Sequence, residues 1–389
     1  MHHICRRYLG CMRLSGRRWV SGQVRYVAPA VVLVAVGVGA GVPAMSGASS
    51  PPSLPTLSVQ QLVADVAQAR APELSGTLTW APDLGLSGLS TLEKELGGTS
   101  IGSSSGGGFN PLTLLTGPYE VKVWLGGPKE EHLALITGPD SEVDLVRNAN
   151  QAWLWDSTTQ RVEHFIGPAT SPSASSPSSG SGAVVTPQQV AANILQNLSA
   201  TTSVTEGEPL YVAGQPAYQL VLTPKEATTV SDISIAVGSS GPLLGVPLQV
   251  AVNAKGANAP ALEFGFTGSL NLGAPASSEF TFVAPPGSTV VTHDIGSVPS
   301  QPQGLGWLPT SLGKSGTGWA TVLHGKSSQL AGTTGQALFG AVATQVDVGG
   351  QQARLFTSYL LNVLVMPDGQ FYAGFVAPSV LEATASKGA

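Results

Sequence analysis

The chain has 389 residues, 42% hydrophobic and only 11% charged, with a formal net charge of −5. That is ample apolar material for a core, which excludes global disorder, while so low a charged fraction excludes salt-bridge networks as a main source of stability. Setting aside the six arginines of residues 1–48 leaves 12 Lys+Arg against 23 Asp+Glu, a net charge of −11 for residues 49–389, and that excludes nucleic-acid binding.

Residues 1–48 hold Arg6, Arg7, Arg13, Arg17, Arg18 and Arg25 and no acid, and Tyr26–Val42 is an uncharged run of 17 residues. A basic region, an apolar region and the small residues Ser46-Gly47-Ala48 form a secretory signal pattern with cleavage after Ala48. The alternative is a retained N-terminal membrane anchor, although the run is at the lower limit for a spanning helix and Pro29 weakens it. Either way the remainder is exported: secreted, or tethered to the cytoplasmic membrane by an uncleaved helix. Cys5 and Cys11 both precede the apolar run, so residues 49–389 have no disulfide, no thiol nucleophile and no cysteine to lipidate.

Residues 49–56 (SSPPSLPT) read as a linker to a main domain over 57–295. LSVQQLVADVAQARA opens that domain with a helix: Ser58 and Gln61 have capping-box spacing, and Leu62, Val63, Val66 and Ala69 share one face. A second helix is expected over TPQQVAANILQNL, with Thr186 as N-cap, Pro187 at the first position and Gln189 at the box position. Between and after them apolar residues alternate. ELSGTLTW, YEVKVWL, HLALIT, SEVDLV, QAWLW and RVEHF precede the second helix, and YQLVLT, PLQVAV, LEFGFTG and EFTFVAP follow it. Short alternating runs with Gly, Pro, Asn and Asp turns indicate antiparallel strands with one apolar face. The expected fold is therefore α+β: a large curved antiparallel sheet, an open half-barrel, with two short helices over its concave apolar face. Low-complexity stretches at 99–110 and 167–182 read as insertions. Residues 300–389 read as a small β-rich subdomain containing GWATVL, ATQVDV, RLFTSYLLNVLVM and FYAGFVAP, with a hairpin turn at Pro367-Asp368-Gly369.

Motifs for chemistry fail on context. Two G-x-S-x-G matches, Gly98–Gly102 and Gly102–Gly106, lie in a Gly/Ser run without the strand and helix that a nucleophile elbow needs. Gly313-Lys314-Ser315 lacks the leading glycine of a phosphate loop, that position being Leu308, and reads as a turn. His132, His164, His293 and His324 show no metal-ligand spacing; His132 and His164 are expected at solvent-facing or sheet-edge positions. No enzyme chemistry, metal or cofactor is indicated.

NANQAWLWDSTTQRVEHF (148–165), VAGQPAYQLVLTPK (212–225), GVPLQVAV (245–252) and EFTFVAPPGSTV (279–290) together resemble, in their order along the chain, the periplasmic lipoprotein-carrier superfamily of LolA/LolB type. That superfamily includes the N-terminal domain of the RseB/MucB envelope-stress regulators. The likeness is greatest to exported LolA-like proteins of high-GC Gram-positive bacteria; the missing lipidated cysteine and the Ser-rich insertion depart from the pattern. The resemblance implies a half-barrel whose hollow takes a lipid or a lipoprotein acyl chain, as carrier or sensor, with no enzyme mechanism. In this sequence that apolar cavity would be lined by Trp80, Tyr119, Val121, Val123, Leu133, Leu135, Trp153 and Trp155, and by Tyr218, Leu220, Val250, Val252, Phe264, Phe266, Phe280 and Phe282. The alternatives are an RseB-like regulator that binds a membrane anti-sigma factor or another membrane-embedded envelope protein through residues 300–389, and a scaffold whose hollow is filled by its own side chains.

Overall fold

The computed structural model describes residues 50–70, 72–86, 118–127, 129–138, 141–167, 200–294, 312–326 and 343–388. The N-terminal segment, the helix expected over 186–198, the stretch 99–110 and nearly all of 167–182 lie outside the described residues. Among the described residues no helix is long and apolar enough to cross a membrane.

Helix α1 spans Val59–Gln68, as its capping box predicts: the Gln61 amide donates to Ser58 Oγ at 3.3 Å and the Ser58 amide to Gln61 Oε1 at 2.9 Å. Thirteen strands follow in one sheet. They are β1 (Glu73–Pro82), β2 (Tyr119–Gly126), β3 (Glu130–Gly138), β4 (Ser141–Asn148), β5 (Gln151–Asp156), β6 (Arg161–Ile166), β7 (Thr202–Glu206), β8 (Leu210–Val212), β9 (Gln215–Pro224), β10 (Val230–Gly238), β11 (Pro247–Ala254), β12 (Leu262–Leu272) and β13 (Thr289–Asp294). Their order is β13-β6-β5-β4-β3-β2-β1-β12-β11-β10-β9-β7, with β8 also on β9. The fold is thus α+β, a large open sheet built from two meanders that meet at β1. Every pairing is antiparallel except β13 on β6, which is parallel.

One detail of the sequence reading is corrected, and one helix that it did not expect is present. EFTFVAP is not a strand: Ser277–Phe280 forms a 3-10 turn, and the chain returns to the sheet only at Thr289. The second helix of the described residues is α2, Pro378–Ser386, at the far end of the chain.

That end forms a second sheet, β14 (Gly313–Ser315), β15 (Val322–Lys326), β16 (Thr344–Val348), β17 (Gln351–Phe356), β18 (Asn362–Val365) and β19 (Gln370–Gly374), ordered β14-β15-β19-β18-β17-β16. Gly313-Lys314-Ser315 is therefore strand and not turn. RLFTSYLLNVLVM divides into β17 and β18, separated by the loop 357–361. Leu381 of α2 is fully buried in this sheet's core with Leu364, Tyr372 and Val376. The two sheets meet where Leu360 packs with Val230, Ala254 and Ala261, flanked by Val252 and Trp319. Glu226 Oε2 accepts the amides of Trp319 at 2.6 Å and Ala320 at 3.1 Å, and the Trp319 indole donates to Thr202 Oγ1 at 2.8 Å.

Leu62, Val63 and Ala64 of α1 pack on Tyr218, Leu220 and Val237, and the Tyr218 hydroxyl donates to the Pro55 carbonyl at 2.8 Å. Gly245, at φ 77°, lets the connection before β11 pass under the helix: a Cβ there would lie 2.1 Å from the Asp65 carbonyl oxygen. Both the backbone angle and the contact are closed to alanine. Gly245→Ala is expected to destabilise the chain by more than about 1 kcal/mol and to detach α1, read by denaturant unfolding and by hydrogen exchange of residues 59–68.

Candidate functional site

Because side chains alternate along a strand, the pairing register assigns each residue to a face. One cross-strand row runs Tyr119, Trp80, Phe264, Val250, Ile235, Leu220. The next runs Leu135, Val121, Leu78, Phe266, and a third places Leu133 opposite Val123. Tyr218 and Val252 join the same face at two-residue offsets. Twelve of the expected cavity residues thus share one face, and it is the face that α1 covers, here called the front.

Burial along the front is graded. Val121 and Val123 are 1% exposed, Leu135 3%, Tyr218 4% and Leu220 5%, so these are core. Trp80, Tyr119, Leu133, Val250, Phe264 and Phe266 are only half-buried. The Trp80 and Phe264 rings are tilted by 59° with centroids 6.2 Å apart, within the range of favourable aromatic pairs. Gly76, opposite Val123, keeps this wall compact, since a Cβ would meet Leu270 at 2.8 Å and Phe266 at 3.4 Å. Val252, half-buried, packs at the junction with Leu360 and Trp319. The wall is capped by α1 at one end and by this junction at the other.

The remaining four residues belong elsewhere. The β4–β5 turn, with Ala149 at φ 51°, pairs Asn148 with Gln151, which sets Trp153 opposite Val146 and Trp155 opposite Asp144. Continuing across the sheet, Val146 meets His132 and His132 meets Trp124. Trp153 and Trp155 therefore face the back, away from α1. Alternation shows that the two tryptophans share a face; only the register shows which. Phe280 sits in the 3-10 turn, 2% exposed, wedged where a Cβ on Gly126 would lie 2.8 Å from its ring, and its carbonyl accepts Asn148 Nδ2 at 3.2 Å. Phe282 stacks on Trp153, centroids 6.1 Å apart. Residues 277–282 thus form a strap over the back face.

The back face carries chemistry that the sequence reading missed. His132 and His164 are neither solvent-facing nor at an edge. His132 is 16% exposed and stacks on Trp124 at 4.6 Å, and His164 lies parallel to Trp153 at 4.9 Å with Gln151 Oε1 3.0 Å from its Nε2. Two such pairs lie off the back face: His293 stacks on Phe165, in phase with the front, and His324 on Tyr372 in the second sheet. Each histidine is the direct cross-strand partner of its aromatic ring, the pair geometry that stabilises sheets. Burial first, then the Asp144 carboxylate, pushes Glu142 above the ordinary carboxylate range. Hydrogen bonds from His293, then Arg161, hold Glu163 below it. Among the described residues no cluster of His, Cys, Asp or Glu could hold a metal ion.

No protein-family model and no curated protein matches the sequence. Solved structures do show similarity. A MucA/MucB complex from Pseudomonas aeruginosa is 16% identical, covering 84% of this chain and 95% of that chain with a TM-score of 0.38. MucB in complex with the periplasmic part of MucA gives 15% identity, 84% and 96% coverage and 0.37. A LolA superfamily protein from Nitrosomonas europaea gives 10% identity, 58% and 99% coverage and 0.19.

The Glu163–His293 contact joins β13 to β6. Glu163→Gln should weaken that edge by less than about 1 kcal/mol near neutral pH, because the pair is partly solvated. The folded carboxylate titrates below its unfolded value, so its contribution is present above the ordinary carboxylate range and is lost as pH falls through the depressed value. Unfolding curves of the two proteins should therefore converge in acid.

Proposed function

We propose that the chain is an exported cell-envelope protein that holds a lipid, or the acyl chain of a lipoprotein, against the front wall, as carrier or sensor. On this reading it is a LolA-like half-barrel protein of the type exported by high-GC Gram-positive bacteria, with residues 1–48 as its signal peptide or anchor. The observation that carries the reading is the burial gradient: Trp80, Tyr119, Leu133, Phe264 and Phe266 stay half-buried beside the fully buried Val121 and Val123. An uncharged wall of rigid rings suits an acyl chain, whose burial contributes about 0.8 kcal/mol per CH₂ and requires no polar anchor.

Native mass spectrometry of the purified full chain, with organic extraction of whatever is bound, tests this. A discrete added mass that extracts as lipid is the expected result. Phe266→Asp should lower uptake of a fluorescent fatty acid at least tenfold, whereas Trp155→Phe on the back face should leave it unchanged. A folded Phe266→Asp protein with full uptake would refute the front-wall site.

A second reading rests on another observation. Tyr359, Leu361 and Phe375, at the junction end of the second sheet, are 38%, 38% and 44% exposed, and they lie within 17 residues of one another in sequence. They suit an RseB-like regulator that captures a membrane-embedded envelope protein. Leu361→Asp and Phe375→Asp should then abolish partner capture and leave fatty-acid uptake intact; capture that survives both changes removes this reading.

A further inference from the structure

We infer that His132 is a proton-operated latch, clamping the strap 277–282 onto the back of the sheet when charged and releasing it when neutral. Its Nε2 lies 3.7 Å from Asp144 Oδ1 on β4, and its Nδ1 lies 3.9 Å from Glu279 Oε2 on the strap. Neither separation is a hydrogen bond. Both imidazole nitrogens and Asp144 Oδ1 are buried and lack a hydrogen-bond partner among the described residues, a costly state that native structures rarely tolerate.

A neutral imidazole carries one N–H and can serve only one of the two carboxylates. The imidazolium donates from both nitrogens. A movement of about 1 Å at each end would close both gaps to charge-assisted bonds, and the Trp124 ring stacked on His132 presents a face that attracts a cation. The other charged or titratable groups that the register places on this face include Glu73, Glu120, Lys122, Glu130 and Glu142, with His164 beyond Trp153. Carboxylates outnumber cations on this surface; burial first, and the Asp144 carboxylate second, raise Glu142 above the ordinary carboxylate range, and that second cause is like-charge repulsion. A proton on His132 therefore relieves that repulsion while tying β4 to the strap.

The strap's hold has consequences for Phe280 and Phe282, which cover Gly126 and Trp153. With the latch charged these rings seal the back face. With it neutral they are retained by packing and, among the described residues, by the bond from Asn148 to the Phe280 carbonyl. The device is independent of any ligand on the front wall.

The test is NMR titration of the full chain with ¹³C-labelled histidine, following the strap amides between about pH 8 and pH 5, the interval in which histidine side chains change charge. The amides of Phe280, Thr281 and Phe282 should shift with the same midpoint as the His132 ring. That co-titration should vanish in His132→Gln and fall to half or less in Glu279→Gln. Glu279 is 36% exposed on the rim, so its variant is expected to fold even where His132→Gln does not. Strap amides that stay still while His132 titrates, or that titrate unchanged in either variant, would overturn the latch.

Discussion

The register in which β1 pairs with β2 on one side and β12 on the other decides what each face of the sheet can do. β1 is where the two meanders join, so its alignment sets which residues of distant sequence meet. Trp80 faces both Tyr119 and Phe264, and Leu78 faces both Val121 and Phe266. The bulge between Ser75 and Thr77 absorbs an irregularity next to Gly76, where a side chain would have to displace the end of Leu270. A slip of one residue would turn this apolar set to the other face.

The two faces then diverge in chemistry. The front is aliphatic and aromatic, uncharged along its central rows, and graded from core to half-buried wall. The back has its own tryptophans, interleaved with histidines and carboxylates and crossed by a strap. Trp80 and Phe264 on the front add shape to an apolar surface, whereas Trp124 and Trp153 on the back stack on imidazoles. The chain's few aromatic residues serve both purposes, and only pairing separates them.

Much of this was legible in sequence. The capping box of Ser58 and Gln61 located α1, and strict alternation in YEVKVWL and LEFGFTG identified strands and the faces they share. Alternation gave relative phase and not absolute side, which is why Trp153 and Trp155 were grouped with the front wall. EFTFVAP has strand alternation too, but Phe280 is wedged beside Gly126 and its carbonyl is bonded by Asn148, so tertiary packing overrode the local pattern. Helix α2 had a legible start in Pro378, whose fixed φ suits a first helical position, yet its weak amphipathicity hid it among the strands. The histidine–aromatic pairs had no sequence signature, since each joins different strands at a register set by turns.

The central claim, that the front wall holds an acyl chain, is tested most directly by photocrosslinking a diazirine-bearing fatty acid to the full chain and mapping the adducts by mass spectrometry. The account predicts adducts concentrated on Trp80, Tyr119, Leu133, Phe264 and Phe266, competed away by unlabelled fatty acid. Adducts centred on Trp153, Trp155 and Phe282, or none that unlabelled fatty acid displaces, would contradict it.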